Sequence, residues 1–191
     1  MNFLTYPARP VDGGNKPTVP PIGDWSCSPK LNGWRTLINT KTGEMWNRKG
    51  NRLSIQREFV DALGLLQLAS PFEWLDCEGL ERRHNIGSGS LIILDAVIPD
   101  VPFEERKAVI DSIFPQLEID NYLRCERNSV YSVPEWEGDA IEKWNTLIDV
   151  NKQLKCEYTE GLVMKSKTSR YPIQKISAEK KCWEWIKFRF V

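Results

Sequence analysis

The stretch "WRTLINTKTGEMWNRKGNRLS", residues 34–54, constrains the fold more than any other part of the chain. Its apolar residues alternate with polar ones around two turn signals, "KTGE" and "RKGN". A period of two belongs to a pleated ribbon with one buried face, and turns this short join antiparallel neighbours. The reading is an antiparallel meander. "FEWLDCEGLE" and "SLIILDAVI" are also strand-like, the second apolar enough to lie centrally in a sheet. "EGLVMKS" and "CWEWIKFRF" read as the last two strands, joined by the polar "KTSRYPIQK".

Helical spacing is confined to three segments. "QREFVDALGLLQLAS" repeats Phe59, Leu63 and Leu66, and "PFEERKAVIDSIF" opens with Pro102 at or near its first position. Asp139 begins the third, with Glu142 in capping-box spacing and Ile141, Trp144 and Ile148 on one face. Strand runs broken by separate helices predict an α+β fold of mostly antiparallel sheets flanked by helices. The Pro- and Gly-rich residues 1–25 predict an extended arm, leaving 26–191 as the folded domain.

At 41% hydrophobic and 27% charged residues the chain has material for a core and does not read as disordered. No apolar run approaches the roughly 20 residues of a membrane span. The opening "MNFLTYPARPVDGG" lacks the features of a secretory signal, so a cytoplasmic setting without a membrane partner is expected. Cys27, Cys77, Cys125, Cys156 and Cys182 are scattered and form no CxxC pair. With one histidine, His84, a zinc site of the usual spacing is not available, and the thiols read as reduced. His84 itself reads as a loop histidine, and Trp34, Trp46, Trp74, Trp144 and Trp185 as core, with Trp136 in an exposed acidic loop.

The formal net charge of zero hides an asymmetry. After Gly161 there are eight basic residues against Glu179 and Glu184. Such a surface suits a phosphate-bearing partner, although a solvated lysine-rich face would look the same. The overall balance argues against a tight, unassisted duplex binder.

Charges also sit on strands. Asp76 and Glu78, two apart, point the same way; Trp185, Lys187 and Arg189 share one face of the last strand. Glu160 and Lys165 face opposite ways unless their strand bends. Taken together, "PKLNGWR", "RKGN", "LDCEGL", "LIILDAV", "EGLVMK" and "WIKFR" occur in an order and spacing that resemble the nucleotidyltransferase motifs of ATP-dependent DNA ligases, RNA ligases and mRNA-capping enzymes. The resemblance covers residues 24–190 and is strongest to DNA ligases, whose common linker "PFEERKAVI" also resembles.

That resemblance implies an ATP-grasp-like nucleotidyltransferase domain in which Lys30 attacks the α-phosphate of ATP and carries AMP, which then passes to the 5′-phosphate of a nicked duplex. Lys165 and Lys187 would hold phosphate oxygens and favour the unprotonated amine, with Arg189 in the same basic set. Glu78 would accept from the ribose, Arg35 and Arg48 would contact ribose and phosphate, and Ser28 and Leu94 would lie at the base. Glu160, with Asn32, would hold Mg²⁺ or Mn²⁺. Gly33 would permit the turn that lets Lys30 reach inward.

Three departures stand out. K-x-D-G reads "KLNG", so Asn32 replaces a carboxylate. Leu94 occupies the place of a stacking aromatic. The sequence stops just after the fifth motif, where such enzymes continue into a C-terminal OB barrel; a fragment, a minimal monomeric enzyme of phage or viral type, or a partner supplying that function would each explain it. Arg35, five residues after the lysine, favours DNA sealing in replication or repair. RNA ligation, guanylyl transfer and a nucleotide- or nucleic-acid-binding module without turnover remain as alternatives.

Overall fold

The computed structural model describes residues 5–18, 24–54, 57–80, 86–119, 123–175 and 181–190; His84 and Lys180 lie outside them. The chain begins with β1 (Thr5–Pro7), β2 (Arg9–Gly14), β3 (Trp25–Leu31), β4 (Trp34–Asn39), β5 (Met45–Asn47) and β6 (Arg52–Leu53). Helix α1 (Val60–Ala69) follows, then β7 (Trp74–Gly79), β8 (Leu91–Ala96) and α2 (Phe103–Ile113). The remainder is β9 (Glu118–Ile119), β10 (Leu123–Arg124), β11 (Val130–Ser132), α3 (Ala140–Leu154), β12 (Thr159–Ser166), β13 (Ile173–Lys175) and β14 (Lys181–Arg189).

Two sheets carry the architecture. One has six strands in the order β11-β8-β7-β4-β5-β6, the other four in the order β2-β14-β12-β3. The predicted meander is β4-β5-β6, and β8 is interior to its sheet, as its unbroken apolar run requires. Among the described strand pairs, only β11 with β8 and β14 with β2 are parallel, so the α+β, mostly antiparallel expectation holds. The sheets share a core: Leu31, Leu162 and Phe188 of the smaller pack with Ile92 of the larger, with Leu80 just past β7 and with Trp144 and Leu147 of α3.

The helices follow their local chemistry. Asp139 caps α3 by accepting the Ile141 N–H at 2.8 Å, and α3 closes on Lys155 in the left-handed region at φ 52°. Pro102 occupies the position just before α2, whose first turn carries Glu104 and Glu105 against the helix dipole. The buried stripe of α3 is Trp144, Leu147 and Val150, which turns Ile141 outward. Trp74 and Trp185 are buried, but Trp34, at the exposed start of β4, is 42% accessible. Trp136 is instead half-buried, held by paired backbone hydrogen bonds with Cys27. Trp183, 77% accessible, is the most exposed aromatic side chain described. The five cysteines are free thiols, and burial pushes Cys27 up to about 12, an unreactive value.

Candidate active site

Register on the smaller sheet sets the site. Across β3, β12 and β14, Lys30, Gly161 and Arg189 form one cross-strand row, Ser28, Val163 and Lys187 the next, and Ser26, Lys165 and Trp185 the third. Rows two residues apart face the same side. They look onto a cavity of about 430 Å³ whose opposite wall comes from the larger sheet: Arg35 on β4, Asp76 and Glu78 on β7, Leu94 on β8 and Arg48 in the β5–β6 turn. Seven basic side chains line it against three acidic ones, an imbalance suited to a polyanion.

Glu160 and Lys165 both reach this cavity although an ideal strand would separate them. The β12 register shifts between Thr159 and Gly161, and Gly161 adopts φ 144°. A side chain at Gly161 would collide with the Phe188 carbonyl. Glycine therefore makes the bulge that turns Glu160 toward Lys30, whose Nζ it contacts directly.

The other predicted residues are pinned in turn. Arg35 donates Nε to Asp76 Oδ1 at 2.9 Å and a second bond to Oδ2, a fork-on-carboxylate pair. Burial works against the Arg35 charge, but Asp76 more than offsets it. Glu78 accepts the Gly33 N–H at 2.9 Å; burial raises it to about 7, with Lys30 and Arg35 pulling the other way. Lys165, 4% accessible, donates to the Leu94 carbonyl at 2.9 Å and lies 3.6 Å from Asp95. Lys187 lies 3.5 Å from Asp12, its register partner on β2.

Two expectations change. Gly33 is needed for space rather than for a left-handed turn: a Cβ there would come within 2.9 Å of Glu78 Cγ. Asn32 does not line the cavity; its amide donates to the Glu157 carbonyl at 2.9 Å, a bond that the expected carboxylate could not make. Among the described residues no three carboxylate, histidine or cysteine side chains converge as a metal cage. Of the three acids lining the cavity, Asp76 holds Arg35, Glu78 accepts from Gly33 and Glu160 is paired with Lys30.

Sequence reasoning missed Arg9 and Pro10, which reach the cavity because β2 pairs in parallel with β14 some 170 residues later. No local pattern reports such a pairing. Asp76 was legible, since its two-residue spacing from Glu78 places both on one face.

No family model matches the sequence, and no curated protein does. Solved structures do. The ligase domain of M. tuberculosis LigD superposes with a TM-score of 0.60 at 16% identity, over 96% of this chain and 59% of that one. A Lig E DNA ligase, described as binding DNA with a minimal scaffold, gives 0.56 at 14%, over 95% and 69%. The Chlorella virus DNA ligase-adenylate gives 0.53 at 14%, over 94% and 69%. The two sheets and their flanking helices thus give this chain the fold seen in the ligase domain of LigD and in these DNA ligases.

Proposed function

We propose that this chain is the catalytic domain of an ATP-dependent polynucleotide ligase acting on nicked DNA. The observation that carries the reading is Lys30: its amine enters a strongly basic cavity of nucleotide size and is held there by Glu160. The amine nitrogen attacks the α-phosphorus, forming a P–N bond as the P–O bond to pyrophosphate breaks. Lys187, Arg189 and Arg48 neutralise charge on the transferring and leaving groups. Glu78 accepts from the ribose and Leu94 and Val163 flank the base. A divalent ion held by Glu160 and the nucleotide's own phosphates would add charge neutralisation there. Transfer of AMP to a 5′-phosphate would then activate the nick for attack by the neighbouring 3′-hydroxyl.

The similarity to Lig E, LigD and the viral ligase supports DNA as the substrate. Asn32, tied to Glu157 rather than to the cavity, favours a second reading, a nucleotide-binding module without turnover. Intact mass after incubation with ATP and Mg²⁺ or Mn²⁺ separates the two. A gain of one AMP, absent in Lys30→Ala, is expected. A protein that binds ATP yet gains no AMP with either ion refutes the ligase reading. Nicked DNA and RNA duplexes then decide the substrate.

A further inference from the structure

A second cavity, a groove of about 850 Å³, lies beside the one that holds Lys30. Glu160 and Arg189 line both, so the two meet at the carboxylate that holds the Lys30 amine. One wall is a stripe of α3: Trp144, Ile148 and Asn151 stand three or four residues apart on one face, and Lys152 and Lys155 continue it to the helix C-terminus. Phe190, just past β14, faces that stripe, and the turn from Cys156 to Glu160 forms the floor.

The fold itself fixes this groove. Asn151 clamps the floor to the helix, its amide donating to the Thr159 carbonyl at 2.8 Å and its oxygen accepting the Thr159 N–H at 3.1 Å. The Phe190 N–H donates to the Glu160 carbonyl at 2.9 Å, and the Phe190 ring meets Trp144 edge-on, with centroids 4.4 Å apart. The lining has two chemistries. Trp144, Ile148 and Phe190 are apolar, while Lys152, Lys155 and Arg189 stand against Glu157 and Glu160, the last already engaged by Lys30. Lys152 meets Asp149 at 3.0 Å on the exposed helix surface, a pair that a phosphate can replace. An aromatic wall beside a row of cations is the make-up of a groove that tracks a nucleic-acid strand.

Resting on the ligase reading, we propose that this groove holds the strand that carries the 5′-phosphate. A 5′-phosphate that reaches AMP on Lys30 arrives with its chain attached, and the groove opens at the Glu160 end of the first cavity. The first sugar and base lie against Ile148 and Phe190, and the following backbone phosphates lie on Lys152 and Lys155. From Trp144 to Lys152 the helix rises roughly 12 Å, the length of roughly three to four nucleotides at about 3.4 Å each.

The test is fluorescence anisotropy of labelled nicked duplexes bearing a 5′-phosphate, of DNA and of RNA, titrated at several salt concentrations. Intact mass after incubation with ATP and Mg²⁺ is recorded in parallel. Lys155→Ala should lower the slope of log affinity on log salt by about one, and the Lys152→Ala, Lys155→Ala double variant by about two, with roughly tenfold weaker binding at low salt. Phe190→Ala should weaken binding roughly fivefold or more with the slope unchanged, the mark of an apolar contact. Lys41→Ala, which removes an exposed lysine on the β4–β5 turn, should change neither quantity. All four variants should gain AMP on Lys30 as the unmodified protein does. The lysine variants decide the matter if Phe190→Ala does not fold. A double variant with unchanged affinity and slope, an equal effect from Lys41→Ala, or an unmodified protein that binds neither duplex at low salt overturns the proposal. Groove-dependent binding with no Lys30 adduct would keep the groove and sink the ligase reading; adduct formation with duplex binding indifferent to the groove would sink only this inference.

Discussion

Replacing Glu78 with Gln should remove a pH dependence of stability that the unmodified protein carries. Glu78 is half-buried on β7, its Oε1 bound to the Gly33 N–H. Burial lifts its pKa from the ordinary 4.5 to about 7 against the pull of Lys30, Arg35 and Gly33. In the unfolded chain the proton leaves near the lower value; in the folded protein it stays until the higher. Between them the folded state binds more protons, so this contribution to stability is fully present below about pH 4.5 and declines as pH rises toward 7. A displacement of that size corresponds to about 3 kcal/mol at about 1.4 kcal/mol per pH unit. The carboxylate faces a cavity open to water, which screens it, so about 1–2 kcal/mol is expected. Gln keeps an oxygen for Gly33 and has no proton to lose. Urea unfolding followed by tryptophan fluorescence, for both proteins from about pH 5 to about pH 8, isolates the group as a difference. The unmodified protein should lose about 1–2 kcal/mol relative to the variant across that range. A flat difference would refute the reasoning and mean that Lys30 and Arg35 already keep Glu78 ionised.

Gly161→Ala should cost about 2–4 kcal/mol, since it places a Cβ against the Phe188 carbonyl at φ 144°, and denaturant midpoints measure it directly. An unchanged midpoint would mean that the bulge relaxes freely. Asp95→Ala strands Arg106, which is 1% accessible and donates to both Asp95 oxygens at 2.8 and 3.0 Å. The expected cost is about 3–5 kcal/mol, largely recovered in the Asp95→Ala, Arg106→Met double variant; equal losses in both would show that the pair is not the cause.

Legibility in the sequence followed the range of the interaction. The meander and the three helices rest on neighbours within one element, and their periods report them. Asp139 as a cap is a two-residue contact and was equally plain. The positions of Lys30, Glu78, Lys165 and Lys187 were readable only as a set, through resemblance, because each charged strand alone looks like a solvated one. What lay beyond reach depends on backbone pairing at long range. β2 against β14 brings Arg9 to the cavity. Asn32 shows the complementary limit: a motif position says nothing of the nearer carbonyl, Glu157, to which its amide donates.

The zero net charge, which argued against a strong nucleic-acid binder, takes on a different meaning beside the cavity. Five of its basic side chains face a carboxylate: Lys30 and Arg189 share Glu160, Arg35 has Asp76, Lys165 has Asp95 and Lys187 has Asp12. Acids are thus spent on holding the cations in place rather than on cancelling a surface. Long basic side chains lose about 2 kcal/mol of rotamer freedom when fixed, and a partner acid brings part of that loss forward into folding. A phosphate arriving at such a site meets donors already aimed, which is the condition under which electrostatic stabilisation is most effective. The arrangement has a graded character. Asp76 and Asp95 are buried and cannot readily be displaced, so Arg35 and Lys165 act as fixed walls. Asp12 is open to water and held low by the Gly14 N–H, with Lys187 adding to the effect. Glu160 is partly open as well. Lys30, Lys187 and Arg189 therefore face carboxylates that water can reach and can exchange them for phosphate, and Lys30 is the one whose amine the proposed chemistry requires to leave its acid.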